Sequence, residues 1–150
     1  MDMRLDEDRD ASLRAVVVGF YEAFADHDLE KLRRVVTEHW EYIPEPKGAE
    51  LGPDQMAPLF RKMAAALPDM RIEIHDLLIH GNRIGVRAEV SGTQRGPLMG
   101  IEATSKPVRF AIHSFHEVKQ DRIAKTWHLE DWLSVFHQIG ELPQELDLRG

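Results

Sequence analysis

The stretch TWHLED, residues 126–131, sets Trp127, His128, Glu130 and Asp131 within five positions. A carboxylate among aromatic and apolar neighbours suits proton transfer, because desolvation disfavours its charged form and moves its pKa toward neutrality. Two histidines, His113 and His116, precede it on the same C-terminal segment. Which of these side chains look inward depends on strand register. The turn KQDR at 119–122 joins two alternating runs, PVRFAIHSFHEV and RIAKTWHLED, as a β-hairpin. With Lys119 opposite Arg122, Ser114 faces Trp127, Ile112 faces Leu129 and Phe110 faces Asp131. Opposed residues share a face, which puts Ile112, Ser114, His116, Trp127, Leu129 and Asp131 on one side. That side is the more apolar and is read as the interior. His113, Phe115, Thr126, His128 and Glu130 are expected on the other face. A single β-bulge would reverse the assignment beyond it.

On this register Asp131 sits among Phe110, Trp127 and Leu129, so it is the expected proton-transfer group, with a raised pKa. His116 is the second candidate, as a donor to a substrate carbonyl oxygen. Simpler roles exist for both. Asp131 directly precedes DWLSVFHQIG and is placed to cap that helix, which is compatible with acid–base work. His116 and Trp127 are also ordinary core residues. His113 and His116 spell H-x-x-H, but that spacing on a strand sends them to opposite faces, so no metal pair is expected.

The elements that must hold these groups are legible in the periodicity. Leu13, Val16, Val17, Phe20 and Phe24 recur at helical spacing, with Tyr21 on the flank of the same helix. Asp28 caps a second, shorter helix carrying Leu29, Leu32, Val35 and Val36. Gly52-Pro53-Asp54 opens a third, with Met56, Leu59, Phe60, Met63 and Leu67 on one stripe, and Pro58 is expected to kink it. From residue 70 the period becomes alternating, through a GNR turn at 81–83, a glycine-rich loop SGTQRGPLMG and the final hairpin. Helices followed by strands predict an α+β fold: a curved antiparallel sheet covered by N-terminal helices, enclosing a cone-shaped cavity. Tyr21, Phe60, Met99, Phe110, Ser114 and Trp127 are the expected substrate contacts.

Composition narrows the function classes. With 150 residues and no internal repeat, one domain over 1–150 is expected. The net charge of -7, with basic residues scattered, argues against a nucleic-acid surface. No apolar run approaches the roughly 20 residues of a membrane span. Cysteine is absent, which removes disulfides and thiolate ligands and makes the cytoplasm the expected location. The outward face carrying Phe115 and Ala111 beside His113 and His128 is apolar for a solvated sheet, so a homodimer or homotetramer is expected.

GPDQMAPLFRKMAAALPDM, GTQRGPLMGIEATSKPV and IAKTWHLEDWLSVFHQIG, in this order of elements, resemble the SnoaL-like polyketide cyclase (ester cyclase) family. That family lies within the nuclear-transport-factor-like, or cystatin-like, α+β superfamily. The resemblance spans about residues 10–140 and is most specific at Trp127, Asp131 and Gln138-Ile139-Gly140, with Gly92, Thr93, Gly96, Gly100 and Thr104 in support. Two positions depart from the family: Gln94 and Ile43 stand where members often carry histidine. The resemblance implies a cofactor-free enzyme of lyase or isomerase type that binds an apolar oxygenated compound and closes a ring by intramolecular aldol reaction. Isomerisation, dehydration or epoxide hydrolysis, as in other members of the superfamily, are the rival activities. A non-catalytic small-molecule-binding module is the alternative from a different class.

Overall fold

The computed structural model describes residues 2–45 and 50–143. Helix α1 runs from Met3 to Asp26 and opens on Asp2, whose carboxylate accepts from the Arg4 N–H. Its buried stripe, Leu13, Val17, Phe20 and Tyr21, follows the three- and four-residue spacing of the sequence. Asp28 caps α2 (Leu29–Val35) by accepting from the Lys31 N–H. The segment read as a short extended piece is a full strand, β1 (Val36–Ile43), which begins at Val36 and buries Val36, Trp40 and Tyr42.

Pro58 does not kink a helix. A 3-10 turn over Pro53–Met56 precedes α3 (Ala57–Ala66), so Pro58 falls in the first α-helical turn. Its missing N–H costs nothing there, because first-turn amides have no intrahelical partner.

Strands β2 (Arg71–His80), β3 (Arg83–Thr93), β4 (Pro107–Lys119) and β5 (Arg122–Glu130) follow, and α4 (Trp132–Gln138) ends the described fold. The sheet order is β1-β5-β4-β3-β2, and β1 pairs parallel to β5 while the other pairs are antiparallel. The fold is thus the expected α+β layer with a curved sheet, but the sheet is mixed rather than antiparallel. On its covered face Ile84, Val86, Ala88 and Val90 of β3 pack beside Val108, Phe110, Ile112, Ser114, His116 and Val118 of β4.

The last hairpin carries the one irregularity that decides the site. Its turn residues Gln120 and Asp121 both have positive φ, the left-handed pair that a two-residue turn requires. Lys119 pairs with Arg122 and Val118 with Ile123, as the sequence suggests. A bulge at Ala124 then shifts the register, giving Glu117↔Lys125, His116↔Thr126, Phe115↔Trp127, Ser114↔His128, His113↔Leu129 and Ile112↔Glu130. Strict alternation from Ile123 would have driven Lys125 into the interior beside it. The extra residue keeps Ile123 and Thr126 fully buried while Lys125 turns out to Glu41, 3.6 Å away. Beyond the bulge every side chain of β5 is therefore on the face opposite to the one expected. Trp127 and Leu129 point outward, and His128 and Glu130 point inward.

Candidate functional site

Between the helices and the covered face of the sheet lies a cavity of about 370 Å³. Helix α1 contributes Phe20, Tyr21 and Phe24 to its wall, and α3 contributes Leu59, Phe60 and Met63. Tyr42, Phe110, Ile112 and Trp132 close the sheet side, and Met99 reaches in from the loop after β3. The aromatic rings interlock edge to face in Phe24–Phe60 at 5.0 Å, stacked in Phe24–Tyr42 at 6.1 Å and tilted in Phe110–Trp132 at 5.1 Å between centroids.

The loop that presents Met99 is held by Gln94, one of the two departures from the family pattern. Its buried side-chain amide donates to the carbonyls of Ile101 and Glu102, and its side-chain oxygen accepts from the Thr104 hydroxyl at 2.6 Å. Gly96 is required beside it, since a Cβ there would lie 2.4 Å from the Ala65 carbonyl oxygen. Ile43, the other departure, pairs with Trp127 at the end of β1, while its neighbour Tyr42 lines the cavity.

Glu130 is the sole carboxylate among the described residues that line the cavity. It accepts from His128 Nε2–H at 2.6 Å, a short charge-assisted bond, and His128 Nδ1 lies 2.9 Å from the Ser114 hydroxyl. With Nε2–H donating to Glu130, His128 Nδ1 is left to accept from the Ser114 hydroxyl. The Tyr42 ring packs 5.3 Å from that of His128, and burial, reinforced by the charge of Glu130, raises its hydroxyl pKa well above the ordinary tyrosine range.

One layer behind stands a second polar chain. His116 is fully buried, with Nε2 2.9 Å from the Tyr21 hydroxyl and Nδ1 2.9 Å from the Thr126 hydroxyl. Burial, aided by the nearby His128, pushes the His116 pKa down to about 3, so its imidazole is neutral. Trp40 Nε1 can only donate, and it donates to the Thr126 oxygen at 3.0 Å. In the tautomer that lets Thr126 donate to His116 Nδ1, His116 Nε2–H donates to the Tyr21 oxygen, and the Tyr21 hydroxyl has Ser114 and the cavity beside it. Burial raises the Tyr21 pKa far above its ordinary value, with Ser114 a smaller opposing influence, so this hydroxyl stays protonated.

Of the residues singled out in the sequence, Tyr21, Phe60, Met99 and Phe110 line the cavity. His116 and Ser114 face inward but lie behind the lining, reaching it through Tyr21 and His128. Trp127 is a correction: it lies on the outer face, with the Arg83 guanidinium 5.3 Å and the Lys125 ammonium 4.9 Å from its ring centre. Asp131 caps α4, accepting from the Ser134 N–H at 3.2 Å and the Ser134 hydroxyl at 2.6 Å, and is not among the lining residues. His128 and Glu130, expected outside, are the ionisable pair of the wall. Their signal in the sequence was Lys125, a charge on the face read as interior. Away from the cavity, Glu73, His75 and Glu89 bring ligand atoms within 4.8 Å of one another on β2 and β3, where Arg109 already pairs with Glu89 at 2.7 Å.

A helix-covered curved sheet around one apolar cavity defines a nuclear-transport-factor-like α+β protein. Residues 15–139 match the model of the SnoaL-like polyketide cyclase family, and the chain belongs to that family. No curated protein sequence matches it. Among solved structures it is similar to TsrD from Streptomyces laurentii, at 25% identity and TM-score 0.80, over 88% of this chain and 97% of that one. A proposed polyketide cyclase from Bacillus cereus ATCC 10987 aligns at 25% identity and TM-score 0.76, over 88% of this chain and 83% of that one. IdmH, a proposed polyketide cyclase from Streptomyces antibioticus, shares the fold at 24% identity and TM-score 0.75, over 85% and 98% of the two chains. No described helix is long and apolar enough to cross a membrane.

Proposed function

We propose that this chain is a cofactor-independent acid–base catalyst that closes a carbon–carbon ring in an apolar, polyketide-like compound by intramolecular aldol reaction. The observation that carries the reading is Glu130, the one carboxylate among the described lining residues, held by His128 within a wall that is mostly aromatic and aliphatic. Glu130 takes a proton from a carbon flanked by carbonyls. The resulting carbanion attacks a second carbonyl carbon, forming the ring bond, and the alkoxide takes the proton back from Glu130. Atoms and electrons are conserved, so the step is an isomerisation that needs no redox partner. Tyr21 donates a hydrogen bond to the carbonyl oxygen on which negative charge grows. The cavity supplies proximity by holding a flexible chain folded for attack.

Epoxide hydrolysis fits less well, because it calls for two carboxylates or an Asp–Arg–Asp set. Among the described residues the lining has one carboxylate and no arginine. The test is turnover of a panel of polyketide-like esters and enones by wild type, Glu130→Gln and Asp131→Asn. Ring-closed product from wild type and its loss in Glu130→Gln is the expected result. Binding without turnover of any member by wild type would make the domain a carrier instead.

We also propose a homodimer or homotetramer, with the outer sheet face as interface and the cytoplasm as location. Leu78, Gly85, Phe115 and Trp127 align in register across four strands, with Leu78 73% and Phe115 64% exposed. Sedimentation equilibrium at micromolar concentration should give an even multiple of the chain mass, and Phe115→Glu should reduce it to one. A monomeric wild type overturns this assignment.

A further inference from the structure

His27 combines three features that the acid–base site does not use. It lines the cavity, at the end of α1. Its Nε2 is buried with no protein partner. Its backbone lies at φ 52°, the left-handed region, where it serves as the C-cap of α1 and donates its N–H back to Phe24 at 3.2 Å. Glycine is the usual residue there, since any Cβ is strained at positive φ. A histidine that keeps both backbone strain and an unpaired buried nitrogen is poised for a partner the fold does not supply. His137 also has an unpaired buried Nε2, but it sits in the last turn of α4, outside the cavity lining, and shares only that feature.

The position of His27 defines what it can reach. Tyr21 and His27 are six residues apart on one helix, about 9 Å along the axis. An aromatic wall connects the two polar ends: His27 is 6.3 Å from Phe60, Phe60 5.0 Å from Phe24, Phe24 6.1 Å from Tyr42 and Tyr42 5.3 Å from His128. Among the described residues no lysine or arginine lines the cavity, so a carboxylate or phosphate entering it would lose hydration without a countercharge. Burial lowers the His27 pKa more than neighbouring Asp26 raises it, which leaves the ring neutral at physiological pH.

We propose that His27 is a second substrate anchor. It hydrogen-bonds a neutral oxygen at the far end of an elongated aromatic or polyketide-like molecule whose near end lies against Tyr21 and Glu130. The ligand class is thus uncharged and oxygenated at both ends of an apolar body. The reaction at the near end rests on the cyclase reading; the binding at the far end does not.

The test is calorimetric titration with three probes: a naphthalenediol carrying hydroxyls at opposite ends, the matching mono-naphthol, and the corresponding hydroxynaphthoic acid. Wild type should bind the diol roughly three- to tenfold more tightly than the mono-naphthol, the range of one net hydrogen bond. His27→Gly keeps the left-handed backbone without strain and should erase that ratio, bringing the diol to the affinity of the mono-naphthol in the same variant. His27→Asn, which also tolerates positive φ, guards against an effect peculiar to glycine. An unchanged ratio in both variants, equal binding of the hydroxynaphthoic acid and the diol, or no diol binding to wild type overturns the proposal. Glu130→Gln should keep the His27-dependent ratio. Lost turnover therefore tests the cyclase reading, and a lost ratio tests His27.

Discussion

Two successive inward rungs of the β4–β5 hairpin carry a histidine each, and they meet opposite fates. The His116↔Thr126 rung is sealed beneath Phe20, Tyr21 and Trp40, with ring centroids of Phe20 and His116 4.9 Å apart. The Ser114↔His128 rung, one step along, opens on the cavity and leads to Glu130. Both imidazoles have two hydrogen-bond partners, so chemistry of the ring does not distinguish them. What covers them does. A sealed histidine fixes the tautomer and direction of its neighbour Tyr21, whereas a histidine at the cavity wall can hold a carboxylate where substrate reaches it. Asp131 extends the contrast by one residue: it follows Glu130 in the chain, but the turn into α4 commits its oxygens to Ser134.

The largest effect is expected on the open rung. Glu130→Gln keeps shape and hydrogen bonding but removes the titratable group, and should lower kcat by about 100- to 10,000-fold. Asp131→Asn should stay within a few-fold of wild type, because asparagine also caps. If the two variants exchange these outcomes, Asp131 is the acid–base residue and the contrast drawn here between strand end and helix start is wrong.

On the sealed rung the expected losses are in stability. Tyr21→Phe leaves the buried His116 Nε2 without its partner and should cost about 1–3 kcal/mol in urea unfolding, together with a drop in turnover. A stability equal to wild type would mean that His116 is satisfied in some other way.

Acid tests the same rung through linkage. The folded pKa of His116 lies near 3, below the ordinary 6.5, so the unfolded chain binds a proton that the folded chain refuses. Its contribution is present above about pH 6.5 and is lost progressively as pH falls toward 3. From neutral pH to about pH 5 this amounts to roughly 2 kcal/mol, at about 1.4 kcal/mol per unit. His116→Gln should flatten the dependence by that amount relative to wild type. Parallel curves for the two proteins would remove His116 as its source.

A smaller change is expected at the cap. Asp131→Ala should lower stability by about 1 kcal/mol, measured by thermal unfolding, and Asp131→Asn by less. Incubation with a strong chelator should change neither turnover nor melting temperature, since proton transfer by Glu130 requires no metal; a loss restored by a divalent ion would direct attention to Glu73, His75 and Glu89.

The elements themselves were readable from residue spacing. The stripe on α1, the Asp28 cap, the alternation of β3 and β4 and the KQDR turn are local patterns, set by 3.6- and 2-residue periods and by turn chemistry. The inward faces of His116 and Ser114 followed from the turn outward, because β4 alternates without interruption. Parallel pairing of β1 was not legible, since nothing within Val36–Ile43 specifies which sheet edge it joins.

The acid–base pair was settled by a single inserted residue. Strand side chains alternate with period two, so Ala124, by bulging, exchanged Trp127 and Leu129 for His128 and Glu130 on the inner face. The sequence by itself determined the family, the order of elements and the aromatic stock of the cavity: Tyr21, Phe60 and Phe110 sit where their helix and strand periods direct them. Only the tertiary structure decided which carboxylate faces that cavity. Periodicity is a property of neighbours in the chain, whereas the bulge is stabilised by Ile123 and Thr126 inside and Lys125 outside, a balance of burial and solvation that exists only once helix and sheet have packed.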